Sequence, residues 1–521
     1  MPIRHGISRP LLPLLAALTL LAAPPLVAAE TAHALLWLEL DGFDATRATE
    51  PAPAHNDLLA HLRRGFALPQ VQNAAVEAQL NWFLKHPDYL DRVFLRSQRY
   101  LPYITDELEK RGLPLELALL PIVESAYDPF AYSHGRASGL WQIVPGTGKR
   151  FGIRQNWWYD GRRDVVDATN GALNYLAYLH ELMDGDWLHA IASYNSGEGN
   201  VLKAKRRNLK AAKPTDFWNL SLPRETESYV PKLIALVEIV RDPAKYNLKL
   251  PELVHEPQFA IADIGSQIDL ALAAELAGLT LDELYSWNSG FNRWATDPDG
   301  PHRLLLPVDA AAGFDSALQS LAEAERVRWK RHKVRNGEAL SQIAEQYHTT
   351  LQAVRQANNI SGNIIRAGQY LMIPVASKPL TDYSLSANER RVAKQSQPRG
   401  GQRVDHHVAA GESFWSIGRR YGVGMRELAS WNGMAPRDTL SVGQKLVVWT
   451  RNAPATATAS SNATTRKLNY TVRRGDSLYR IASRFRISIA DLLRWNNIDK
   501  NKVLRPGQKL TMYVDVTAQS S

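Results

Sequence analysis

An internal repeat constrains this chain more than any other feature. From Arg328 onward, segments 332–344, 407–418 and 470–482 align with one another. Each carries a glycine followed by Glu or Asp (Gly337-Glu338, Gly411-Glu412, Gly475-Asp476) and then an apolar pattern of helical spacing. Each continues to Asn358-Asn359, Trp431-Asn432 or Trp495-Asn496 and closes on Gly-Gln and a short apolar run, at Gly368-Gln369, Gly443-Gln444 and Gly507-Gln508. The first glycine and the final glutamine lie 32, 33 and 33 residues apart. Such a period predicts one small supersecondary unit per repeat. Each unit reads as strand, helix, helix, strand: the first Gly permits a tight turn, and the acidic residue after it suits a helix N-terminus. Boundaries fall at 331–375, 405–450 and 468–514. The stretches 376–404 and 451–467, rich in Ser, Ala, Thr, Asn, Gln and charge, read as flexible linkers. A fainter copy is expected at 257–308, where Leu281 to Asn288 repeats the passage into Trp-Asn and residues 304–307 the closing strand.

The remaining length leaves room for a larger unit. At about 150 residues per domain, 521 residues imply three to four parts. The apolar fraction of 45% and 14 tryptophans are enough to build real cores. No cysteine is present, which excludes disulfides, thiolate metal sites and thiol nucleophiles, and also the acylated cysteine of a lipid anchor. The formal charge of +10 is an average: residues 1–327 sum to −9, and residues from Arg328 onward sum to +19. A basic tail points to an anionic partner.

The first residues resemble an export signal. Arg4, His5 and Arg9 precede the apolar stretch 11–23, and small residues at 27–29 suit cleavage before Glu30. Residues 1–29 are therefore read as a signal peptide, and no later stretch is long and apolar enough for a transmembrane span. An exported, soluble, periplasmic protein associated with the cell wall is expected. Residues 30–99 read as a helical lead-in. Between 71 and 240 apolar residues recur at helical spacing, over 101–108, 115–123, 168–182 and 229–240, with Gly112 placed to end one helix and Pro114 to start the next.

This helical region holds the chemistry. Residues 117–125 place Glu124 at the end of an otherwise apolar helix, where desolvation would raise the carboxyl pKa toward that of a general acid near neutral pH. Downstream lie the loop 133–147 with Gly139-Leu140-Trp141-Gln142, the glycine-rich helix end Tyr194-Asn195-Ser196-Gly197, and a further helix carrying Tyr229. Other motifs fail on spacing. His180-Glu181 lacks the second His of a zinc-protease helix, and residues 146–152 match neither a dinucleotide nor a phosphate loop. No metal and no cofactor is expected, His406-His407 reads as a strand edge, and export argues against nucleic acid as the partner of the tail.

In this order, Glu-Ser, Gly-Leu-Trp-Gln, Ser-Tyr-Asn-x-Gly and the late Tyr resemble the motifs of the soluble lytic transglycosylase catalytic domain over about residues 100–245. The tail units resemble LysM modules, which bind N-acetylglucosamine-containing glycans. Together they are similar to the membrane-bound lytic murein transglycosylase D family. The implied architecture is an α+β multidomain chain, with a lysozyme-like, mostly α catalytic domain followed by small βααβ LysM modules.

The resemblance implies that Glu124 is the single catalytic acid/base. It implies that Ser133 contacts the N-acetyl group of the muramic acid, Gln142 lines the cleft, and Gly139 lets backbone approach the sugar. Tyr194 and Asn195 would shape the floor, and Tyr229 would sit near the carboxyl. In the last repeat Gly475, Asp476, Ser477 and Leu478 would face residues 504–508 across a glycan groove. The sequence departs from the pattern at Ser193, where Ala is usual, and at Trp141, where Met is common. In the first repeat, Ala339 stands for Ser and Ala367 for Pro. The implied activity is cleavage of the β-1,4 bond between N-acetylmuramic acid and N-acetylglucosamine in peptidoglycan glycan strands, with a 1,6-anhydro product. The residues alone leave open a second carboxyl such as Asp128 or Glu225, hydrolysis of the goose-lysozyme type, and a non-catalytic wall-binding scaffold.

Overall fold

The computed structural model describes residues 56–450 and, beyond them, 465–473, 476–478, 481–482, 489–496, 498, 504 and 507–515. The expected signal peptide and Gly475 lie outside the described residues. The catalytic region is helical: α1 (Leu58–Arg64), α2 (Ala74–Leu84), α3 (Pro87–Ser97), α4 (Leu101–Lys110), α5 (Leu120–Ser125), α6 (Pro145–Arg150), α7 (Val165–Leu182), α8 (Trp187–Ser196), α9 (Glu198–Lys210) and α10 (Arg224–Arg241).

Helix α10 is the centre of this unit. From Tyr229 to Val240 nearly every side chain is buried, as an all-round apolar segment requires. It packs against α2, α5 and α8. Leu58, Leu62, Phe83 and Phe94 of the lead-in enter the same core as Leu233 and Leu236, so the helices before residue 99 are part of one packed body with those after it. Gly112, at φ 61°, ends α4 as the sequence implied, and a 3-10 turn, Leu115–Leu119, leads into α5. Caps fix the ends of the longer helices. Asp164 accepts from the Val166 and Asp167 N–H groups at the start of α7, and Asp186 from the His189 N–H at the start of α8.

The remainder is built from two-stranded antiparallel sheets, the first three of them with two helices between their strands. In the first, β1 (Phe259–Asp263) pairs with β2 (Arg303–Pro307), Phe259 opposite Pro307, around α11 (Leu270–Leu276) and α12 (Leu281–Trp287); α13 (Val308–Gln319) follows. The next module pairs β3 (Arg328–Lys333) with β4 (Tyr370–Val375) around α14 (Leu340–Gln346) and α15 (Leu351–Ala357). After it comes α16 (Ala387–Ser396). Then β5 (Gln402–His407) pairs with β6 (Lys445–Thr450) around α17 (Phe414–Tyr421) and α18 (Met425–Trp431). In the last repeat β7 (Thr465–Thr471) pairs with β8 (Lys509–Asp515), and the helix Ile489–Asn496 precedes β8.

One asparagine does the same work in all four modules. The Asn432 side chain donates to Leu428 O and Val447 O and accepts from the Val447 N–H, at 2.7, 2.9 and 2.7 Å. Asn288, Asn358 and Asn496 repeat these three bonds with their own helix and strand. The side chain thereby joins the end of the second helix to the closing strand. It satisfies backbone groups that a two-stranded sheet would leave unpaired.

The segment 376–404 is not the flexible linker its composition suggests. Tyr383 is buried and its hydroxyl donates to the Asp269 carboxylate, 3.0 Å away. Gln395 Nε2, at the far end of α16, donates to Asn432 Oδ1 at 2.8 Å. A few buried anchors order a stretch that is otherwise polar. The other expected linker falls almost wholly outside the described residues. Among the described residues, no helix is long and apolar enough to cross a membrane.

Candidate active site

Glu124 is delivered by a helix that stops abruptly. After Ser125 the chain turns left-handed at Ala126 and Tyr127, with φ of 51° and 58°. That conformation is unfavourable for residues other than glycine. Burial of the Tyr127 ring and its hydroxyl bond to Ala118 O, 2.7 Å, offset the strain. Ser125 Oγ donates to Leu140 O at 2.8 Å and so ties the helix end to the next motif. In that motif Trp141 is fully buried, and its indole N–H donates to Thr169 Oγ1 at 3.0 Å. Tyr194, from α8, donates its hydroxyl to Trp141 O at 2.7 Å. Asn195 Oδ1 accepts from the Thr226 hydroxyl at 2.7 Å, which joins α8 to α10. Four segments distant in sequence are thus locked together by side-chain hydrogen bonds around one carboxyl.

These segments line a cleft of about 720 Å³, within the usual range of ligand sites. Glu124, Ser133, Gln142, Tyr194, Asn195 and Tyr229 all face it. Tyr229 donates its hydroxyl to Glu124 Oε1 at 2.5 Å. Glu124 keeps a partial opening to the cleft, yet protein packs closely around the carboxyl. Burial is the largest influence and pushes its pKa up to about 7; Glu225 adds to the rise, while the Tyr229 hydrogen bond and Lys232 oppose it. Tyr229 itself, buried beside this carboxyl, is held well above the usual phenol range and stays a proton donor.

The other residues differ in how directly they can meet a ligand. Gln142 Nε2 is committed to Gly139 O, 2.9 Å, and Ala131 O, 3.3 Å. Ser133 Oγ accepts from the Gly135 and Ala137 N–H groups, which shapes its loop. Gly139 does not line the cleft. At φ 80°, a Cβ there would lie 1.8 Å from Arg162 O, so the missing side chain serves close packing against backbone and not approach of a sugar. Glu225 lies exposed on the cleft rim, whereas Asp128 is outside the cleft. Sequence reasoning missed His134, Thr147 and Tyr175, which also line it; Tyr175 lies against the Tyr194 ring, with centroids 5.4 Å apart. No motif marks these three.

In the last repeat, the Asp476 carboxylate accepts from the Arg473 N–H at 2.8 Å and the Tyr470 hydroxyl at 2.7 Å. Glu338 and Glu412 do the same with a strand histidine and the turn backbone. The acidic residue thus fixes the first turn and is not placed as a helix cap. Leu478 packs toward the module core, and Ser477 is exposed at the start of a helical turn. Among the described residues, no group of three or more His, Asp or Glu side chains is placed to hold a metal ion.

Comparison with known proteins fits this architecture. Residues 102–217 match the transglycosylase SLT domain, and residues 332–374, 406–449 and 470–512 match the LysM domain. Residues 258–323 match the LysM-like domain of lytic transglycosylase MltD. The membrane-bound lytic murein transglycosylase D of Escherichia coli K12 is 34% identical over 406 residues, covering 76% of this chain and 86% of that protein. The chain belongs to the membrane-bound lytic murein transglycosylase D family. A tributyltin chloride resistance protein of Alteromonas, named as such only provisionally, is 42% identical over 34% of this chain and 83% of its own length. The 70 kDa soluble lytic transglycosylase of Escherichia coli overlaps 33% of this chain and 30% of its own, at 22% identity and a TM-score of 0.23. As a member of the transglycosylase D family, this protein is a peptidoglycan lytic transglycosylase that carries LysM modules for binding the wall.

Proposed function

We propose that Glu124 is the acid/base of the reaction and that one carboxyl serves both steps. The observation that carries this reading is a single enclosed carboxyl on the cleft floor whose pKa is pushed up to about 7. It holds a proton near neutral pH and can give it up there. Glu124 protonates the glycosidic oxygen between N-acetylmuramic acid and N-acetylglucosamine, and the C1–oxygen bond breaks. The substrate's own N-acetyl oxygen supports the charge at C1, which dispenses with the second carboxylate most glycosidases use. The Glu124 carboxylate then takes the proton of the C6 hydroxyl as that oxygen bonds to C1. The 1,6-anhydro ring closes and no water is consumed.

Tyr229 steadies the carboxylate between the two steps by donating its hydroxyl. Ser133, Gln142, Tyr194 and Asn195 hold the strand against it. We further place the enzyme in the periplasm, exported by residues 1–29 and kept on the wall by its repeats; cell fractionation tests this. Mass spectrometry of the released muropeptides tests the chemistry. Anhydro ends that disappear in Glu124→Gln support the mechanism, while reducing ends would make the protein a hydrolase and overturn it.

A further inference from the structure

A second cavity, of about 700 Å³, adjoins the catalytic cleft and shares Ser133 and His134 with it. Its opposite wall comes from elsewhere in the chain: α16, and the module formed by β5 and β6, which contributes Ser430, Met434 and Asp438. Three contacts fix this wall to the catalytic loop. Asp438 pairs with Arg136 at 2.8 Å and accepts from the Tyr132 hydroxyl at 3.1 Å, and Arg390 lies over the Phe130 ring at 4.8 Å.

The charge of the cavity is uneven. The carboxylates that line it are already engaged: Asp160 pairs with Arg162 and Arg163, Asp438 with Arg136, and Asp128 accepts from the Phe130 N–H. The cations of α16 have no carboxylate partner among the described residues. Arg390, Arg391 and Lys394 stand at helical spacing on the face that lines the cavity, and among the described residues none of them enters an ion pair. Arg390 bonds Leu385 O, and Arg391 bonds Asn388 Oδ1 at 2.7 Å. Burial, together with the nearby Arg163 charge, lowers the pKa of Arg390 to about 9. A protein gains nothing by crowding like charges into a partly enclosed space unless an anion completes it.

We propose that this cavity is a subsite for the carboxylate-bearing stem peptide of the glycan strand held in the cleft, with Arg391 and Lys394 as its specificity-determining cations. The proposal rests on the reading of the cleft as the glycan site. Contiguity through Ser133 and His134 favours a group attached to the bound sugar over a separate ligand. The volume suits a short peptide more than a single ion. A strand bearing acidic stems would then bind more tightly than the same strand without them.

The test compares initial rates of the full chain on two probes. One is purified peptidoglycan glycan strands with their stems; the other is the same strands after enzymatic removal of the stems at the muramic acid amide. Arg391→Glu and Lys394→Glu alter side chains away from the cleft, and unchanged thermal midpoints would show that they fold. The expected result is a KM for stem-bearing strands roughly 10-fold or more higher in each variant, the scale of a lost charge-assisted hydrogen bond, with kcat and the bare-strand KM unchanged. Equal KM values for wild type and variants on stem-bearing strands would overturn the subsite, and so would an equal loss on both probes. Wild-type enzyme inert on both would overturn the cleft reading and the subsite with it.

Discussion

Replacing Glu124 by Gln should stabilise the protein, and the gain should grow with pH. In the unfolded chain the carboxyl ionises near the usual 4.5, whereas in the folded protein it holds its proton up to about 7. Below pH 4.5 both states carry the proton and the residue contributes nothing. Between the two values the folded state binds more protons than the unfolded one, so stability is lost as pH rises. Above pH 7 the loss is complete. A gap of about 2.5 pH units corresponds to about 3 kcal/mol at about 1.36 kcal/mol per unit, and the opening to cleft water reduces this to about 2 kcal/mol. Gln has the same shape, accepts the Tyr229 bond and cannot ionise. It removes the penalty, at the cost of a constant offset for its own unpaired N–H. The assay is thermal unfolding of both proteins across pH 4 to 8. The difference in midpoint should be flat below about pH 4.5 and rise by about 4–8 °C toward pH 8, at roughly 2–4 °C per kcal/mol for a domain of this size. Every other titrating group is common to both proteins and cancels. Midpoint curves that run parallel across the range would refute the assignment of a raised pKa to Glu124.

The same carboxyl predicts the rate profile: kcat/KM should fall as pH rises past about 7, because the proton donor is lost, and a pH series on purified strands measures it. Tyr229→Phe removes a bond that holds the pKa down, so this falling limb should move to higher pH in the variant. Asn432→Ala strips four hydrogen bonds from a fully buried position, the one from Gln395 included; at a cost of about 3 kcal/mol or more, hydrogen exchange in β5 and β6 should accelerate while the cleft still turns over substrate. Gly139→Ala drives a Cβ into Arg162 O from a left-handed backbone, and should cost about 3 kcal/mol or more, read as a lowered thermal midpoint.

The modules were legible because they solve one packing problem repeatedly. The Trp-Asn passage stands out by spacing, and Asn288 marks the faint fourth copy in the sequence itself. What the asparagine does was not legible, since its partners are backbone groups that no side-chain pattern encodes. The acidic residue after the first glycine misled for a related reason. A carboxylate near a helix start ordinarily serves that helix, but Glu338, Glu412 and Asp476 reach back to the strand and its turn. The segment 376–404 was missed because its order depends on a few anchors such as Tyr383 and Gln395. These are too sparse for a periodicity to register among polar neighbours. Gly139 was visible as a required glycine; only the Arg162 carbonyl beside it reveals that the requirement is packing.

The ordered motifs meet at one cleft, which Glu124, Ser133, Gln142, Tyr194, Asn195 and Tyr229 line. Their chemical tuning depends on distances that sequence does not carry. A carboxyl that must act first as acid and then as base works best with a pKa near the operating pH. At its ordinary value it would seldom hold a proton to donate, and far above neutrality it would seldom surrender one. Here burial and the rim charge of Glu225 push upward, and the Tyr229 hydroxyl and Lys232 pull downward. Two of these four influences, Tyr229 and Lys232, lie three residues apart on α10, and Glu225 opens the same helix. One helix therefore supplies opposing corrections to one carboxyl. On the proposed mechanism, a shift of α10 relative to α5 would detune Glu124 even with every side chain intact, so the bonds of Ser125 to Leu140 O and of Thr226 to Asn195 would serve the reaction by holding position.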